Sequence, residues 1–141
     1  MRVTAYLFTM VVLLSAISIS CRQSSLSPSE TAKAYINYLA EGKIDEAAKL
    51  VSSNFANKRG AYGTNLYLSD VAAGYALSKK NNQGKPMTIT IVREDVVGDL
   101  AEVSVKMSYG DQGAYSGIYK FIKEKGLWKF DGIDSGINRQ P

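Results

Sequence analysis

Few residues in this 141-residue chain can do chemistry, and what is missing narrows the field first. The sequence has no histidine and a single cysteine, Cys21. It therefore lacks the side chain most used both as a general base near neutral pH and as a metal ligand. One thiol can form no disulfide within the chain, no cysteine-based zinc site and no Cys/His pair. General-base work then falls to carboxylates. Glu94, Asp95 and Asp99 gather at a turn, Glu102 lies on the polar side of an alternating segment, and Asp131 has the opposite parity to Trp128 and Phe130. None has the apolar surroundings that raise a carboxyl pKa into a working range. The acids of "REDVVGD" (93–99) lack the loop of an EF-hand. Gly110, Gly113 and Gly117 lack the strand–loop–helix context of a phosphate cradle. Tyr35, Tyr75 and Tyr109 remain as hydrogen-bond donors, though buried tyrosines are most often core residues. These residues predict no metal, no cofactor and a non-catalytic role.

The elements that must position such groups fall into two blocks. "SPSE" at 27–30 is a helix start, with Ser27 as N-cap, Pro28 in the first turn and Glu30 closing a capping box. Ala32, Tyr35, Ile36 and Leu39 form one apolar stripe behind it, and Gly42 ends the helix. Ile44, Ala47, Ala48 and Val51 repeat the spacing in a second helix. Residues 52–63 are expected to be irregular. A third helix is predicted over 65–80, carrying Leu68, Val71, Ala72 and Tyr75, and "NNQGKP" (81–86) breaks the chain. From Met87 the period changes to two. "LAEVSVKMSY" is the clearest strand, with Ala101, Val103, Val105, Met107 and Tyr109 on its dry face. "AYSGIYKFIKE" is apolar on both sides. It is read as a central strand whose Tyr115, Tyr119 and Phe121 project from an open face toward a partner. "LWKFDGI" is the last strand. Helices followed by an antiparallel meander predict an α+β domain of one layer on another.

Composition agrees with a single globular domain: 45% apolar and 21% charged residues, with a net charge of +4. The basic residues are dispersed, with no stripe or aromatic platform for nucleic acid. At the N-terminus, Met1-Arg2 precedes an uncharged apolar run over 3–19, the arrangement of a targeting segment. The seam at Cys21 resembles a bacterial lipoprotein signal, cut just before a cysteine that then carries lipid. Ser20 at −1 fits that pattern, and Ser18 at −3 departs from the usual Leu. The resemblance implies a signal peptide over 1–20, a lipidated Cys21 with a tether to residue 27, a domain over 28–135 and a tail over 136–141. More than one acyl chain on Cys21 makes a stable anchor. With no acidic residue directly after Cys21, the resemblance points to the outer membrane, facing the periplasm.

"SPSETAKAYINYLAEGKIDEAAKLVS" is similar to the opening of small NTF2-like domains, with their Gly-x-hydrophobic-acid-x-Ala step at Gly42 to Ala47. "GLWKFDGI" is similar to their final strand. Taken with the N-terminus, the chain looks most like DUF4878-type lipoproteins. The resemblance implies a cone, in which three N-terminal helices pack on a curved antiparallel sheet of about four strands. It carries no activity, because this scaffold hosts enzymes, binders and interaction modules alike. Enzymes on the cone work from the pocket between helices and sheet with an Asp base, a Tyr donor or an Asp/His pair, and histidine is absent here. Two roles are expected ahead of catalysis. One is a small or lipidic ligand in a pocket lined by Tyr35, Leu39, Tyr75, Val105, Met107, Tyr109 and Trp128, residues that otherwise fill the core. The other is a homodimer or an envelope protein partner on the Tyr115, Tyr119 and Phe121 face.

Overall fold

The structure is a computed structural model and describes residues 25–110 and 114–134. The expected signal segment, Cys21, the first part of the expected tether, residues 111–113 and the expected tail lie outside the described residues. Helix α1 (Pro28–Ala40) begins at the capping box: Ser27 Oγ accepts from the Glu30 amide, and the Glu30 carboxylate accepts from the Ser27 amide. It ends in a Schellman motif. Gly42, at φ 72°, donates to the Leu39 carbonyl, and Lys43 donates to that of Tyr38. Helix α2 (Ile44–Lys49) follows, and then α3 (Ser53–Asn81).

The segment expected to be irregular, 52–63, is helical. Ser52 caps it, its Oγ accepting from the Phe55 amide, and Phe55 buries its ring. The break signal in the sequence is spent at one residue: Gly60, at φ 70° and ψ 166°, bends α3 between a short first part and a long second part. That region of backbone space is open essentially to glycine alone.

Four antiparallel strands follow in the order β1 (Met87–Val97), β2 (Leu100–Tyr109), β3 (Tyr115–Glu124) and β4 (Leu127–Asp134). Two-residue turns join β1 to β2 at Gly98-Asp99 and β3 to β4 at Lys125-Gly126. Both residues of the second turn have positive φ, as a type I′ hairpin needs. One sheet face packs under the helices, with Val103, Val105, Phe121 and Phe130 almost fully buried against Tyr35, Ile36, Leu39 and Leu68.

The reading of β3 needs correction. Tyr119 and Phe121 do not project from an open face; they are 3% and 1% exposed in the core. Their cross-strand partners are Val103 and Ala101, which belong to the dry face of β2, and directly paired residues share a face. Tyr115 is exposed at the end of the strand, and the outward-facing residues of β3 are Ile118, Lys120 and Ile122.

A short splice ties the helical layer to the sheet. Val51 bridges β4 beside Phe130: the Ser52 amide donates to the Phe130 carbonyl (2.8 Å), and the Phe130 amide donates to the Leu50 carbonyl (2.7 Å). The start of α3 is thus fixed to the middle of β4. At the other side of the sheet, the Ser29 amide and hydroxyl both donate to Glu94, tying the start of α1 to β1.

Candidate functional site

The interior of the cone is filled by aromatic residues around Phe130. Its ring stacks on Tyr35 with centroids 4.3 Å apart, and Phe55, Tyr119 and Phe121 surround it at 5.3, 6.0 and 6.2 Å. The Tyr75 and Tyr119 hydroxyls are 3.3 Å apart and both reach Met107 Sδ, while the Tyr109 hydroxyl donates to the Tyr75 carbonyl. Among the described residues, the buried Tyr35 hydroxyl has no hydrogen-bond partner. Burial pushes the phenols of Tyr35, Tyr75 and Tyr119 above the usual tyrosine value. They stay protonated at neutral pH and serve as neutral donors, not bases.

The seven residues expected to line a pocket are placed in or against this filled interior, and none of them lines the open cleft between α3 and β4. Tyr75, Met107 and Tyr109 meet one another there, as the hydrogen bonds show. Trp128 joins the core at its edge near the β3–β4 turn, with the Lys123 ammonium 5.5 Å from its ring centre.

The cleft, of about 450 Å³, lies instead where α3 bends over β4. Its walls are Phe55, Lys58, Arg59 and Tyr67 from α3, and Asp131, Gly132 and Ile133 from β4. The bend builds it. Phe55 and Tyr67 are twelve residues apart, which in a straight helix is about 18 Å. Here their rings are 5.3 Å apart at a tilt of 60°. The Arg59 guanidinium sits in the wedge between them, 4.6 Å from the Phe55 centroid and 4.5 Å from that of Tyr67. On the opposite wall, β4 carries an extra residue between its pairings with Lys120 and Phe121, and that residue is Asp131. The bulge turns the carboxylate toward the start of α3. Ser52 Oγ donates to one oxygen at 2.5 Å, and Asn54 Nδ2 donates to both, at 2.9 and 3.1 Å. Desolvation raises the Tyr67 phenol, and the Arg59 charge opposes that rise.

Sequence reasoning missed Lys58, Arg59, Tyr67 and the role of Asp131. The signal was there: a Ser52 cap three residues before Phe55, and Arg59 one turn beyond Phe55 on the same face. Reading 52–63 as irregular concealed it. Among the described residues, no group of three or more His, Cys, Asp or Glu could hold a metal ion, and no helix is long and apolar enough to cross a membrane.

No family model matches the sequence, and no curated protein matches it. Solved structures do resemble it. An NTF2-like protein from Campylobacter jejuni superposes with a TM-score of 0.64 at 16% identity, covering 76% of this chain and 99% of its own. An NTF2-like protein of unknown function from Shewanella baltica OS155 gives 0.52 at 17% identity, covering 74% of this chain and 86% of its own. At such identities the likeness is one of architecture, and it agrees with the element order, the capped helices and the curved four-stranded meander: the chain has the α+β cone of the NTF2-like fold.

Proposed function

We propose that this is a lipid-anchored protein of the bacterial cell envelope, resembling DUF4878-type lipoproteins. In this reading its NTF2-like domain binds a small ligand, without catalysis, in the cleft at the Gly60 bend. The observation that carries the binding role is the cleft itself. Its size falls within the range of small-molecule sites, and it has aromatic walls with a few polar groups. Non-catalytic binding fits the chemistry of its edges. Asp131 is held by Ser52 and Asn54, and the interior phenols stay protonated. The anchor rests on the apolar run ending at Cys21, and the expected address is the outer membrane, facing the periplasm.

Native mass spectrometry of the protein extracted gently from its own envelope tests the binding role. Mass on the domain beyond the acyl groups is expected, and repeated preparations carrying none would count against it. Cys21→Ala is expected to abolish incorporation of labelled fatty acid; labelling that survived the change would sink the anchor.

A second reading, association through the open sheet face, is favoured by one feature. Val97, Leu100 and Ile122 form a row across three strands on that face, with Val97 78% and Leu100 59% exposed. Partner burial of such a row would show as a dimer in sedimentation that Leu100→Lys dissolves.

A further inference from the structure

We propose that the cleft takes a small organic anion, a carboxylate on a flat apolar body, with Arg59 reading the charge; this rests on the cleft being a ligand site. The argument comes from what the lining groups have left to offer. The Arg59 guanidinium carbon lies against the Phe55 and Tyr67 rings, which offer it no carboxylate or carbonyl. Its N–H donors therefore remain for an acceptor, and a guanidinium edge matches a carboxylate with two parallel bonds. Among the described residues Arg59 has no ion-pair or hydrogen-bond partner, and neither has Lys58 beside it. The one acid in the cleft is differently placed: Asp131 already accepts from Ser52 and Asn54. The unmet demand is thus for an acceptor bearing negative charge.

Shape sets the rest of the ligand. Phe55 and Tyr67 are tilted walls, Ile133 is apolar, and Gly132 adds no side chain, so a flat apolar body fits between α3 and β4.

The test compares phenylacetate with phenylacetamide, two probes of nearly one shape that differ in charge. Each is titrated into the full chain in a non-ionic detergent at low salt. The readouts are ¹H–¹⁵N signals of the Arg59 Nε–H and the Gly132 amide. Phenylacetate is expected to bind about tenfold tighter, as one charged hydrogen-bonded pair allows. Arg59→Gln is expected to erase that preference, whereas Lys125→Gln, which removes the same charge at a distant turn, keeps it. Equal binding of both probes to the unaltered chain would overturn the anion and leave the ligand site standing. No shift at either signal with either probe would overturn both. A preference that survives in folded Arg59→Gln would overturn the role of Arg59. If that variant fails to fold, salt decides: a preference that does not fall between low salt and 1 M overturns the charge reading.

Discussion

The molecule has two aromatic regions that share one residue and differ in kind. Around Phe130, rings pack on rings in a dry interior, and the hydroxyls of Tyr75, Tyr109 and Tyr119 bond one another, a sulfur and a carbonyl. Around Arg59, two rings open outward and hold a cation between them. Phe55 belongs to both, 5.3 Å from Phe130 on one side and 5.3 Å from Tyr67 on the other. Aromatic content alone therefore says nothing about whether a site binds or only stabilises. What separates the two is a single bend, which lets Tyr67 fold back without closing over the guanidinium.

The largest expected effect breaks the inner region. Phe130→Ala removes the ring that four others touch, and costs about 3–5 kcal/mol of stability in chemical denaturation. A cost under 1 kcal/mol would mean the rings repack without it. Next comes the joint. Gly60→Ala meets no atom within 4 Å, so only backbone strain opposes it. A cost of about 1–3 kcal/mol is expected, together with loss of the Phe55–Tyr67 contact in aromatic NMR cross-peaks. An unchanged melting point with the cross-peaks intact would show that the bend does not depend on glycine.

Tyr35→Phe sharpens the comparison with a smaller, opposite change. It deletes a buried hydroxyl that has no partner among the described residues, and a gain of up to about 1 kcal/mol is expected. A loss would show that the hydroxyl is satisfied in solution. Alkaline pH separates the regions without mutation. Because burial raises the folded Tyr35 and Tyr119 phenols above their unfolded value, their contribution is complete below the unfolded pKa, about 10. It fades as pH rises past that point. Absorbance at 295 nm should therefore show these two phenolates appearing together with loss of circular dichroism, and their appearance in a folded protein would contradict the packing.

Much of the scaffold was legible from local chemistry. The Ser27 box, the Gly42 stop and the alternation of 100–109 each use rules confined to a few neighbouring residues, and the structure keeps all three. The site was less legible because it depends on relations that a linear reading does not carry. β3 is apolar on both sides, so its parity could not say which side faces the helices; its register with Val103 decides it. The β4 bulge removes Asp131 from strict alternation and sends it to Ser52. The turn residues of 52–63 suggest an irregular segment, whereas Gly60 is a corner inside one helix.

The placement of Trp128 has a practical consequence. It is the chain's only tryptophan, lies outside the cleft and packs beneath Lys123 at the β3–β4 turn. Its fluorescence thus reports the integrity of the sheet away from the cleft, while Tyr67 in the cleft wall contributes to the tyrosine absorbance that a ligand there would perturb. The domain carries two separate optical channels, so loss of fold and loss of ligand can be told apart in one cuvette without a label.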